Sequence, residues 1–135
     1  MSKLIVSDCD LTLWCGNINT YECCPGNEKL IYELEDLVAA GATLVLWSGS
    51  GSQHAFNVGM ALSLPFTAVR DKLPHPITDE AVMKSFGDMF GSLPDIQYDD
   101  RQEEAIPGVK DFRLIEDYNP HGLTLRRGLW MPDED

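Results

Sequence analysis

A chain of 135 residues, 44% hydrophobic and 24% charged, is long enough for one packed core and too short for two, so one domain over residues 1–135 is expected. Twenty-two acidic against ten basic side chains leave a formal charge of -12, which repels polyanions and disfavours non-specific nucleic-acid binding. No apolar run reaches the roughly 18 residues that cross a bilayer, and Met1-Ser2-Lys3 leads into a strand pattern rather than a signal peptide, so a cytoplasmic protein with no membrane partner is expected.

In chain order, Lys3 to Ser7 reads as a central parallel strand, because a short apolar run bounded by polar turn residues fits a sheet covered on both faces. Leu13 to Gly26 has no sustained period and carries Trp14, Gly16, Asn17, Asn19 and Pro25, so residues 13–26 are expected to form a short hairpin flap or loop. From Asn27 a helix is well specified: Leu30, Ile31, Leu34, Leu37 and Val38 share one face, Asn27 caps the start and Gly41 suits the stop. Ala42 to Trp47 is a second buried strand, ending in Ser48-Gly49-Ser50-Gly51. A second helix follows, with Ala55, Val58, Gly59 and Leu62 on one face, Ser50 or Ser52 available as its cap, and Pro65 beyond its end.

Phe66 to Val69 predicts a third short strand, followed by the loop Arg70-Asp71-Lys72-Leu73-Pro74-His75-Pro76. Thr78 then caps a third helix whose apolar face is Val82, Met83, Phe86, Met89 and Phe90, ending at Gly91. Asp95 to Tyr98 is a fourth strand running into Asp99-Asp100. This βαβαβαβ rhythm predicts an α/β fold, a Rossmann-like three-layer sandwich around a central, mostly parallel sheet. The pattern is strongest over residues 1–101. In 102–135, Phe112, Leu114 and Glu116 alternate like a fifth strand, and Leu123 to Trp130 fits either strand or helix.

Ligand sites in open α/β sheets lie beyond the carboxyl ends of the strands, and here those ends carry a coherent chemistry. The first delivers Asp8, Asp10 and Thr12, the second Ser48 and Gly49, the third Lys72 after a brief turn, and the fourth Asp99 and Asp100. Phosphoryl transfer uses the whole set. A carboxylate can attack a phosphate monoester and form an aspartyl-phosphate, but converging carboxylates need a cation such as Mg²⁺ to neutralise them. Asp8 is the candidate nucleophile and Asp99 with Asp100 the candidate metal holders. Ser48, a backbone N–H near Gly49, and Lys72 can bind phosphate oxygens. Asp10 suits the general acid and base, protonating the leaving alkoxide and then taking a proton from the attacking water.

An apolar strand followed by Asp8-Cys9-Asp10-Leu11-Thr12 (DxDxT), then Leu44 to Ser48, Lys72 and Asp99-Asp100 in order, resembles the four motifs of the haloacid dehalogenase superfamily of phosphatases. The resemblance implies a Rossmann-like fold, Mg²⁺ dependence and an aspartyl-phosphate. It also implies a metal held by Asp8, the main-chain carbonyl of Asp10, and Asp99 or Asp100. The second acid of the DxD pair is typical of that superfamily's phosphatases and argues against halide chemistry. Family members often carry a substrate-selecting cap, for which residues 13–26 leave room only for a hairpin and Pro65 to Asp71 for nothing, so the chain looks capless. Capless relatives act on exposed phosphates of large molecules or close their sites by oligomerising, which leaves small phosphoesters, macromolecular phosphates and an oligomer all open. Tyr98-Asp99-Asp100-Arg101 is similar to a motif in polynucleotide 3'-phosphatase domains of phage end-healing enzymes, and a local patch of Lys110, Arg113, Arg126 and Arg127 would be needed to offset the net charge for such a substrate.

Other residues have plainer readings. Cys9, Cys15, Cys23 and Cys24 crowd the first 24 residues and read as free thiols, with no zinc spacing. Thr12 is expected to brace the loop, and Trp47 to sit in the core. Lys84 falls on a helix and is expected to be solvated, unlike Lys72. Trp14 and Tyr21 are expected either to stack on a substrate ring over the site or to pack the flap on the body. His54, His75 and His121 are expected at the surface, with no part in the chemistry, and Asp111 and Asp117 are expected as surface acids. No GxxxxGK phosphate loop or dinucleotide glycine fingerprint is present. Acidic pairs with Ser/Thr and Lys also build phosphate-accepting receiver domains, but there the acidic pair sits on the first strand, the reverse of the order here. A third alternative is a binding protein on the same fold that has lost activity.

Overall fold

A computed structural model describes residues 3–14 and 26–116, together with the backbone of two later strands. In chain order the elements are β1 (Leu4–Asp8), α1 (Glu28–Ala39), β2 (Thr43–Ser48), α2 (Ser52–Ala61), β3 (Ala68–Asp71), the helical run α3, β4 (Ile96–Asp99) and β5 (Asp111–Leu114). The strands β6 (Leu123–Arg126) and β7 (Leu129–Pro132) pair antiparallel in a separate two-stranded sheet, so the described residues of the Leu123 to Trp130 segment are strand. α3 consists of Asp79–Val82, a π-helical turn Met83–Gly87, and Asp88–Phe90.

The central sheet has five strands in the order β3-β2-β1-β4-β5, and every pairing is parallel. The chain is an α/β Rossmann-like sandwich. From β1 it steps outward to β2 and β3, then returns to the other side of β1 for β4 and β5, so the strand order reverses between β1 and β4. A crevice at the carboxyl ends of those two strands follows from that reversal.

Alternation along the strands divides the core in two. Ile5, Leu44 and Leu46 face a cluster with Leu30 and Leu34 of α1 and Ala55 and Val58 of α2. Leu4, Val6, Val45 and Trp47 face the opposite layer with Val82 and Phe86 of α3 and Ile106. Right-handed crossovers place α1 and α2 on one face and α3 on the other, and the strands read as continuous apolar runs because both faces are covered. No helix among the described residues is long and apolar enough to cross a membrane.

Three local expectations are corrected. The third strand runs over Ala68–Asp71 rather than Phe66 to Val69: Phe66 packs its ring on α2 at Gly59, where a Cβ would come within 2.5 Å of it, pairing begins at Ala68 opposite Val45, and Arg70 and Asp71, expected in the loop, pair with Trp47 and Ser48. The apolar face of α3 is narrower than its sequence suggests. The π-helical turn shifts the stripe to Val82, Phe86 and Phe90, leaving Met83 and Met89 exposed. α2 is capped by neither Ser50 nor Ser52: Asp71 at the end of β3 accepts from the Ser52 N–H at 2.6 Å, a cap supplied across the sheet. α1, by contrast, starts as expected, with the Asn27 side chain accepting from the Leu30 N–H. Gly41 and Gly91 follow α1 and α3 at φ values of 105° and 75°, the left-handed region that glycine enters without strain.

Candidate active site

Asp8 closes β1 as a buried residue, beside Trp47 of β2. The chain then folds into a tight turn in which the Cys9 carbonyl accepts from Leu13 N–H at 2.9 Å and Leu11 takes a φ of 62°. This turn points the Thr12 hydroxyl back at the site, 2.9 Å from Asp8 Oδ2 and 3.4 Å from Asp100 Oδ1. Asn27 ties the turn to α1, donating its side-chain amide to the Thr12 carbonyl at 3.0 Å. Thr12 is thus a brace between Asp8, which ends β1, and Asp100, which follows β4.

Lys72, just beyond β3, reaches under the sheet edge. Its ammonium lies 3.0 Å from Asp8 Oδ1 and 2.9 Å from Asp99 Oδ2, and its backbone N–H donates to the Ser48 carbonyl at 3.0 Å. Lys84 lies exposed on α3, so Lys72 is the lysine that meets the acids. Ser48, buried at the end of β2, accepts from Ser50 N–H at 3.0 Å through its hydroxyl oxygen, which leaves the hydroxyl proton available to an incoming acceptor. Gly49 is exposed beside it, 4.0 Å from the Lys72 side chain as measured from an added Cβ.

Asp99 is fully buried, and its Oδ1 accepts from Arg101 N–H at 3.1 Å. Asp8, Asp99 and Asp100 each bring a carboxylate oxygen within 4.8 Å of the others. Hard oxygen donors at this spacing suit a divalent cation such as Mg²⁺. The acids' own energetics fit the same group. Burial, then the Asp99 charge, raises the Asp8 carboxyl above its usual range despite Lys72. Burial also pushes Asp99 up to about 6, again against the pull of Lys72. Burial disfavours the Lys72 charge, but Asp8 and Asp99 outweigh it and hold the ammonium above its usual range. One cation shared between two buried carboxylates compensates neither of them fully.

A pH dependence of stability follows. Between about pH 4 and 6 folded Asp99 holds a proton that the unfolded chain, with its ordinary value of 3.8, has released. Its contribution to stability is therefore greatest below that window and falls as pH rises through it, by at most about 3 kcal/mol. In a cation-free buffer, melting temperature should drop from pH 4 to pH 7 more steeply in the wild type than in Asp99→Asn. Equal slopes would show that Asp99 is not held protonated by its surroundings.

Asp10 lies apart from this group, its side chain 26% exposed. Its Oδ1 accepts from Trp14 Nε1–H at 2.8 Å and lies 2.7 Å from His54 Nε2. The expectation of a surface His54 is corrected: it is buried in the first turn of α2, because that turn starts beside the β2 end and aims inward. A signal for it existed, since His54 stands four residues before buried Val58 on a helix that follows a strand end. Trp14 is fully buried against the core rather than presented to a substrate ring. His75 is half-exposed, 3.2 Å from Glu104, and Asp111 is an exposed acid paired with Arg113. Cys9 is a buried free thiol, pushed up by burial, and Trp47 is in the core. Cys15, Cys23, Cys24, Tyr21, Asp117, His121 and nearly all of the expected flap lie outside the described residues.

No family model matches this chain, and no curated protein matches it. Among solved structures, a chain of the Pnkp1/Rnl/Hen1 complex is similar at 15% identity and a TM-score of 0.59, over 85% of this chain. The similarity spans 46% of that chain's length, and at this identity what the two share is the Rossmann-like fold.

Proposed function

We propose that this chain is a Mg²⁺-dependent phosphomonoesterase of the haloacid dehalogenase type, acting through an aspartyl-phosphate on Asp8. The convergence of Asp8, Asp99 and Asp100 around one another, with Lys72 bridging two of them, carries the reading. Asp8 attacks phosphorus while Thr12 fixes one of its carboxylate oxygens. As the Asp8 O–P bond forms, the ester P–O bond breaks and the leaving oxygen takes a proton from Asp10. Asp10, now ionised, removes a proton from water as that water attacks the acyl phosphate, which releases inorganic phosphate and restores Asp8. Ser48 and Gly49 orient the transferring group and Lys72 offsets its charge. Asp8, Asp99 and Asp100 would hold the Mg²⁺, with the Asp10 carbonyl as a further ligand, and the ion supplies charge neutralisation for the incoming dianion.

A second reading, a phosphatase for nucleic-acid 3' ends, rests on Tyr98-Asp99-Asp100-Arg101 and is compatible with the fold shared with a chain of the Pnkp1/Rnl/Hen1 complex. Against it, Lys110 lies 3.7 Å from Asp95, and Arg113 pairs with Asp111 and faces Glu33, so two members of the required basic patch are already offset. Phosphate release should be measured on sugar phosphates, nucleoside monophosphates, a phosphoserine peptide and 3'-phosphorylated oligonucleotides, with a phosphodiester as control. Hydrolysis of monoesters but not the diester is expected. Turnover confined to the oligonucleotide selects the second reading, and no turnover of any monoester removes the phosphatase assignment.

A further inference from the structure

We infer that His54 and Trp14 are positioning residues for the proton transfers of Asp10, an inference that rests on the phosphomonoesterase reading. Both contacts fall on the same atom: His54 Nε2 at 2.7 Å and Trp14 Nε1 at 2.8 Å meet Asp10 Oδ1. An indole N–H can only donate, so Oδ1 is an acceptor toward Trp14 whatever the protonation of the carboxyl. With His54 in the tautomer that carries its proton on Nε2, Oδ1 accepts from two directions, the carboxyl plane is fixed and Oδ2 is the oxygen that carries the mobile proton toward the leaving group.

The surroundings of the clamp are rigid. Trp14 is fully buried, its backbone N–H bonds to the Cys9 carbonyl at 3.3 Å, and its ring centroid lies 5.8 Å from that of His54. His54 is 7% exposed and anchored in the first turn of α2, the helix that Asp71 caps from β3. Asp10 itself sits on a loop, where a carboxylate without such partners would sample several rotamers. The clamp therefore couples the direction of the acid to the start of α2 and to Trp14 at the far end of its own turn after β1. Misplacing a catalytic group by about 1 Å can cost ~10²-fold in rate, so this fixation is large enough to measure.

Leaving groups separate positioning of an acid from general structural support. An alkoxide needs the proton as the ester bond breaks, whereas a dinitrophenolate leaves without it. The readout is the ratio of kcat/KM for 2,4-dinitrophenyl phosphate to that for an alkyl phosphate, which reports the phosphorylation of Asp8. His54→Ala and Trp14→Phe are each expected to raise this ratio at least ~10-fold. His54→Gln, which places an amide N–H near the lost Nε2, is expected to return it to within about threefold of the wild type. Melting temperatures accompany each variant. If His54→Ala does not fold, Trp14→Phe against His54→Gln carries the comparison. Parallel loss on both esters, or no change on either, overturns the positioning role and leaves the phosphatase reading standing. A wild type without Asp8-dependent turnover of either ester removes that reading, and the positioning role with it.

Discussion

Asp8→Asn is expected to lower phosphate release by at least ~10³-fold while leaving the fold intact. The amide is nearly isosteric with the carboxylate, and its oxygen can still accept from the Thr12 hydroxyl that now lies 2.9 Å from Oδ2. It lacks the charge and the nucleophilic lone pair that attack phosphorus, and no other described carboxylate occupies that place at the end of β1. Stability should move in the opposite direction from activity. Burial and the neighbouring Asp99 charge disfavour the Asp8 carboxylate, so a neutral side chain relieves a repulsion. An unchanged or higher melting temperature with lost turnover would assign the loss to chemistry. Undiminished turnover would remove Asp8 as nucleophile.

Chelation is the second large effect: EDTA should abolish turnover by at least ~10³-fold, and added Mg²⁺ should restore it. The cause is electrostatic. Three carboxylates lie within 4.8 Å of one another and the single ammonium of Lys72 reaches two of them. Two like charges about 4 Å apart at the effective dielectric of a protein site repel by ~4 kcal/mol, and each 1.4 kcal/mol is tenfold in rate. A phosphate dianion entering this site without further positive charge meets several such repulsions. Mg²⁺ should also raise the melting temperature, and by more at pH 7 than at pH 5, because Asp99, held near 6, is largely ionised only at the higher value. Turnover that persists in EDTA would detach Asp99 and Asp100 from catalysis and leave Asp8 untouched.

The parts legible in the sequence were those set by local pattern. Buried parallel strands announce themselves as apolar runs, and the residues that end them share one edge of the sheet, so Asp8, Ser48, Lys72 and Asp99 could be grouped before any contact was known. What escaped depends on contacts between distant segments. His54 shares the helix face of Val58, but its partner Asp10 is not visible until the start of α2 is placed against the loop after β1. The Asp71 cap on α2 joins residues 19 positions apart, and within the π-helical turn of α3 the Met83 side chain lies over Gly87, where an added Cβ would be 2.6 Å from the Met83 methyl. Periodicity reports faces. It does not report which side chain from another element will meet them.

The placement of β1 bears on the order in which the molecule can form. Its hydrogen-bonded neighbours are β2, some 39 residues later, and β4, which begins at Ile96. As the chain is synthesised, β1 to β3 can pair while the other edge of β1 waits, open, for a strand about 90 residues downstream. The centre of the sheet is therefore among the last parts to close, and the carboxylates of Asp99 and Asp100 arrive with it. Asp8 is made early and completed late, so an unfinished chain holds the proposed nucleophile without its partners.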